Sequence, residues 1–204
     1  MPSPETVSES TSSRERLLAA AKRLMAEEGY ERVSTAAIAR EAGTSESQLV
    51  RYFGTKAGLL EKVFNESWAP LNPRITQLVA ASTTAREAVI SILATMINVF
   101  DRDRDMAKLL FFESRRLRGD SGEIRLSKGF QDFAALVVSL IERGQNDGSF
   151  RKTLKPLAVT SALLGAAEGM IRDRLLATDQ DQPAPFPESQ IRTVFEAIVS
   201  GLSP

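Results

Sequence analysis

The chain has 204 residues, 43% of them hydrophobic, and equal numbers of basic and acidic residues, 26 of each. Such a chain buries a sizeable core in one domain or two, and its balanced charge excludes a strong overall positive field, so nucleic-acid binding has to come from a local face. With no Cys and no His there is no disulfide framework, no thiolate nucleophile, neither of the commonest zinc ligands and not the usual general base. No metal, cofactor or catalytic residue is expected, because no pair of carboxylate, Lys, Tyr or Ser side chains stands at a spacing that demands chemistry.

Residues 1–12 are rich in Ser, Thr, Glu and Pro without a basic or apolar region, which predicts a mobile tail and not a signal peptide. Leu17, Leu18, Ala21, Leu24 and Met25 recur at helical spacing and predict a first helix from about Ser13 to Glu28, stopped by Gly29. Ser34 and Thr35 open a short second helix that ends at Gly43. Ser45, with Gln48 three residues on, reads as a capping box that starts a third. Two short helices about a glycine turn are helix-turn-helix spacing.

On the third helix, a rotation of about 100° per residue puts Leu49 and Phe53 inside, with Val50 flanking them, against Ile38, Ala39 and Ala42. Ser47, Gln48, Arg51 and Tyr52 face out. That set suits a DNA groove, since Gln pairs with adenine, Arg with guanine, and hydroxyls with phosphate or base edges. Lys56, at the start of the next helix, and Thr35, at the start of the second, are placed to reach phosphates. Eight basic against six acidic residues between Arg14 and Lys56 leave a weak positive excess, so binding depends on placement more than on bulk charge.

Further helices are predicted over about Lys56 to Ala80, with bending at Pro70 and Pro73, then Ala85 to Asp101, Asp105 to Arg118, Ile124 to Asn146, Pro156 to Ala177 and Glu188 to Leu202, with a proline-rich linker from Thr178 to Pro187. No strand pair or internal repeat is expected. The class is all-α with about nine helices: a unit over 13–60 with the helix-turn-helix, followed by a larger one over 61–204. Apolar runs fall far short of the roughly 20 residues needed to span a bilayer, so a cytoplasmic protein without a membrane partner is expected.

The segments ERLLAAAKRLMAEEGY, IAREAGTS and LVRYFGTKAGLL, between Arg14 and Phe64, together resemble the N-terminal domain of the TetR family of regulators. The resemblance covers about a quarter of the chain. It implies a ligand-responsive homodimer, most often a repressor, whose two third helices enter successive major grooves of a near-palindromic double-stranded DNA operator. Carried over by position, Thr35 and Lys56 contact phosphates, Ser45, Ser47, Gln48 and Arg51 contact the groove, and Tyr52 sits on the backbone. The sequence departs from the family at Val50, where Tyr is usual, and at Glu46.

The resemblance also implies a C-terminal small-molecule pocket for an effector. Candidate lining residues are Trp68, Met96, Phe100, Phe112 and Phe133, with Phe111 and Phe130 beside them and Glu113 and Arg116 as polar partners. The small residues Ala158, Ala162, Gly165 and Gly169 and the stripe Ile191, Phe195 and Ile198 are candidates for a four-helix dimer interface. The same faces also suit packing within one chain. Against a DNA-binding regulator stands a helical adaptor that binds a protein partner without DNA.

Overall fold

A computed structural model describes residues 12–113, 116–118, 124–180 and 182–204; the expected tail lies, apart from Ser12, outside the described residues. The chain divides into two compact units, one ending at Val63 and the other Phe64–Pro204.

In the first unit, α1 (Ser13–Glu28) is opened by a capping box: the Glu15 amide donates to Ser12 Oγ at 3.2 Å, and the Ser12 amide donates to the Glu15 carboxylate at 2.8 Å. α2 (Thr35–Glu41) and α3 (Glu46–Phe53) follow, and α4 (Lys56–Trp68) runs to the unit's end and beyond. The buried stripe of α1 is Leu17, Ala20, Ala21 and Met25, with Leu18 and Leu24 only half-buried at its margins. It packs on α2 and α3 through Ile38, Ala39, Leu49 and Phe53.

The second unit contains α5 (Leu71–Ala81), α6 (Ala85–Arg102), α7 (Arg104–Lys108), a π-helical turn at Leu109–Glu113, β1 (Arg116–Arg118), β2 (Ile124–Leu126), α8 (Lys128–Asp147), α9 (Pro156–Asp179) and α10 (Glu188–Ser200). α8 packs on α5, α6 and α9, and α10 packs on α6 and α9. The all-α class holds, with three departures from the expected boundaries. The helix expected over 56–80 breaks at Ala69 and Pro70, because Pro70 has no N–H and disfavours helical backbone in the residue before it. Pro73 falls in the first turn of α5, where the missing amide has no partner to lose. The helix expected over 105–118 ends in the π turn, and the one expected from Ile124 starts only at Lys128. Between them β1 and β2 pair antiparallel, Arg116 opposite Leu126.

Side chains close the ends of these helices. Arg143 donates to the carbonyls of Val79 and Ser82 at 2.9 and 2.7 Å, satisfying acceptors that the end of α5 leaves open. Asp147 accepts from the Ala85 amide at 3.0 Å and the Ser149 amide at 2.8 Å. Burial pushes its carboxyl up, but the bonds from Ser149 and Ala85, with the Arg143 charge, outweigh this and hold it below the usual value.

Close packing gives a first expected result. A Cβ added at Gly144 would stand 2.1 Å from the Phe150 ring and 2.9 Å from the Ala85 Cβ. Gly144→Ala gains about 1 kcal/mol of helix propensity, yet overpacking a filled core costs roughly 1–3 kcal/mol and more where the backbone must move. The variant is therefore expected to unfold at lower denaturant concentration than the wild type. A midpoint equal to or above the wild type's would contradict this packing. No helix among the described residues is long and apolar enough to cross a membrane.

Candidate nucleic-acid interface and effector cavity

The turn between α2 and α3 is made by Gly43, whose φ of +61° is a left-handed conformation that other residues adopt only with strain. It lets the Thr44 amide bond back to the Ala39 carbonyl at 2.9 Å. Ser34 caps α2 by accepting from the Ala37 amide at 3.0 Å, and Ser45 caps α3 by accepting from the Gln48 amide at 3.3 Å. The expected capping box is only half present: the Gln48 carboxamide oxygen accepts from the Thr44 hydroxyl and does not reach back to Ser45. Arg16 donates to the Ala42 carbonyl at 2.9 Å, and Arg23 pairs with Glu27 at 3.3 Å and with Glu41. These two arginines brace the three-helix unit.

On α3, Leu49 is fully buried and Phe53 nearly so, while Ser45, Ser47, Arg51 and Tyr52 are exposed and Gln48 is half-buried. Val50 departs from expectation, being 51% exposed. It stands roughly 80° around the helix from the midline of Leu49 and Phe53, at the margin of the buried face. The Arg51 guanidinium lies 5.2 Å above the Tyr52 ring, with a long bond of 3.4 Å to its hydroxyl. Thr35 donates to the Glu46 carboxylate, tying the starts of α2 and α3 together. The Lys56 ammonium sits 4.3 Å over the Tyr30 ring and 3.4 Å from the Glu31 carbonyl. Burial pushes the Tyr30 phenol up, and the charge of Glu31 adds to the shift.

Within the second unit, Trp68, Met96, Phe100 and Phe133 line one cavity, joined by Phe111 and Phe130. The space it encloses is about 70 Å³, well below the ~300–1,000 Å³ of sites that bury a drug-sized ligand, so a ligand of that size would have to widen it. Trp68 stacks on Phe133 at 5.0 Å between centroids, and Phe100 meets Phe111 edge-on at 4.8 Å. The buried indole N–H of Trp68 has no acceptor among the described residues. Leu163, Glu168 and Ile171 of α9 and Phe195 of α10 also line it, so the pocket extends beyond the earlier helices where it is expected from sequence. The side chains of Phe112, Glu113 and Arg116 lie outside the described residues.

The expected dimer residues separate into two groups. Ala158, Ala162 and Gly165 are exposed on α9 beside Leu157, which is 67% exposed, and a Cβ on Gly165 would meet nothing within 4 Å. Gly169 is half-buried, with Arg172 3.8 Å from where its Cβ would stand. Ile191 and Phe195, by contrast, are buried in their own chain at 0% and 4% exposure, and Ile198 is half-buried. The α10 stripe is therefore mainly intramolecular core, because its apolar side faces α6 and α9.

Residues 17–63 match the family model of the bacterial regulatory proteins, tetR family. Over 180 residues the chain is 28% identical to the nucleoid occlusion factor SlmA of Vibrio vulnificus (strain YJ016), covering 84% of this chain and 88% of that protein. Its fold resembles that of the fatty acid degradation regulator FadR from Bacillus halodurans, with a TM-score of 0.78, 18% identity, and 92% and 98% of the two chains covered. It also resembles the transcriptional regulator FadR from Bacillus subtilis in complex with stearoyl-CoA, with a TM-score of 0.75, 16% identity, and 92% and 96% covered.

Proposed function

From its N-terminal domain, which belongs to the bacterial regulatory proteins of the tetR family, we infer that the chain is a ligand-responsive transcriptional regulator. On this reading it is a repressor that binds a near-palindromic operator as a homodimer and answers a small, mostly apolar effector held in the C-terminal unit. The observation that carries the reading is the outward set Ser47, Arg51 and Tyr52 on a capped helix whose other side is sealed by Leu49 and Phe53. Arg51 and Gln48 supply base-edge contacts, with Ser45 and Ser47 beside them; Tyr52 lies on the backbone, and Thr35 and Lys56 take phosphates. Lys56 reaches its phosphate by leaving the Tyr30 ring. A gel shift on the DNA upstream of the gene, repeated at rising salt, tests this. A regulator keeps its preference for that DNA over scrambled duplex, whereas an adaptor shows none.

Glu46 places a carboxylate at the N-terminus of α3, where a phosphate would otherwise be favoured, and holds the Thr35 hydroxyl. Glu46→Gln is expected to tighten binding to scrambled and specific DNA alike, by about two- to fivefold per protomer at low salt, the scale of one charge near a helix end, and by about three- to thirtyfold for a dimer with both protomers on the DNA. Dissociation constants at two salt concentrations check it, and unchanged or weaker binding would count against Glu46 opposing the phosphates.

The apolar cavity supports the effector half of the reading, and the resemblance to a FadR in complex with stearoyl-CoA makes an acyl compound the first ligand to try. Trp68 is the only tryptophan in the chain and lines the cavity, so its fluorescence reports occupancy directly. A saturable change with stearoyl-CoA, whose acyl chain is apolar, or with a wholly apolar compound supports a sensor, and silence across a broad panel speaks against one. A second reading follows from the SlmA match: action in nucleoid occlusion. Mapping bound sites on the chromosome separates the two, since a regulator concentrates at promoters and an occlusion factor spreads over the nucleoid.

A further inference from the structure

We infer that Val50 reads the methyl group of a thymine, fixing an A·T pair at one position of each half-site; the inference rests on α3 being the helix that enters the groove. Single exposed apolar residues are common on protein surfaces and mean little alone. What matters here is where Val50 stands. It is 51% exposed on a helix of eight residues, one turn after Ser47 and next to Arg51, on the part of the surface that the groove-reading assignment sends into DNA. One turn further on is Gly54, which has no side chain to hold DNA away from it.

The chemistry then leaves one partner. An isopropyl side chain has no donor or acceptor, so it takes neither a phosphate nor any hydrogen-bonding base edge. The apolar group that base pairs display in the major groove is the C5-methyl of thymine. A β-branched residue is mildly unfavourable in a helix, and Val50 is not among the buried core residues, so helix propensity and core packing do not by themselves favour Val here.

The test uses the full-length protein and an operator obtained by selection from random duplex DNA. Each thymine of one half-site is replaced in turn by deoxyuridine, which lacks only the methyl. The expected result is one position per half-site where this weakens binding about fourfold, the scale of one buried methyl. V50A should bind the thymine and uracil duplexes equally at that position, keep selectivity elsewhere, and melt at the wild-type temperature. The inference is overturned if no thymine is sensitive, if V50A retains the sensitivity, or if V50A loses affinity for all sequences alike. Failure to select any sequence would overturn the groove-reading assignment itself and this inference with it.

Discussion

Arg51→Ala is expected to erase most of the discrimination between operator and scrambled DNA while leaving the fold intact. Arg51 is exposed, and among the described residues its side chain bonds to and stacks on the exposed Tyr52, so its removal strands no buried group there. A bidentate Arg contact to guanine is worth about 1–3 kcal/mol of discrimination, and a symmetric dimer loses it in both half-sites. The combined effect is on the order of 2–6 kcal/mol, or a factor of about 30 upward. Competition binding against scrambled duplex measures it, with a thermal melt as the control for folding. Discrimination equal to the wild type's would remove Arg51 from the base contacts and weaken the assignment of α3.

Gly165→Leu is expected to split the proposed homodimer without harming the protomer. Nothing within 4 Å would meet a Cβ there, and exchanging Gly for Leu in a helix gains close to 1 kcal/mol in propensity, so the single chain should be as stable as before or more so. In a dimer that brings two α9 helices together along Ala158, Ala162 and Gly165, each added side chain overpacks the contact by roughly 1–3 kcal/mol, once per protomer. Sedimentation at micromolar concentration separates the cases. A wild-type dimer and a monomeric variant are expected; a monomeric wild type, or a variant that remains dimeric through the same face, would contradict the interface.

The first unit was the more legible of the two because its signals are local. Caps at Ser34 and Ser45 and the glycine at position 43 locate the ends of α2 and α3 within a residue or two. Legibility failed where the outcome depended on which surface meets which. Helical periodicity places Val50 beside the buried pair, but how far neighbours cover it is a tertiary matter, and about half of it is left exposed. Leu163, Ala167 and Ile171 recur every fourth residue along α9, yet spacing alone does not say that they face a cavity in their own chain. Ile191 and Phe195 posed the same ambiguity, decided by the packing of α10 on α6 and α9.

The hairpin shows a signal that was present and outweighed. Arg116–Arg118 and Ile124–Leu126 flank a stretch containing Gly119, Asp120, Ser121 and Gly122, a composition typical of hairpin connections. The apolar run Leu109 to Phe112 before it favoured continuing a helix. The break between α4 and α5 was signalled by Pro70, which the expected bend underestimated.

On the proposed function, effector and operator would be coupled through the spacing of two α3 helices in a homodimer, which fit successive major grooves only near 34–36 Å apart, about one helical turn. An effector moves operator affinity only by its own preference for one spacing, so a hundredfold response needs roughly 2.7 kcal/mol of differential binding, and operator DNA must change effector affinity by the same factor.

The proposed function depends on the capped α3 reading DNA sequence, and selection of binding sites by the full-length protein from random duplex DNA tests that most directly. The account predicts enrichment of an inverted repeat whose half-sites are centred about 10–10.5 base pairs, or a multiple, apart, with enrichment lost when Arg51→Ala replaces the wild type. A pool that stays random under the wild-type protein, or one that R51A enriches equally well, would contradict it.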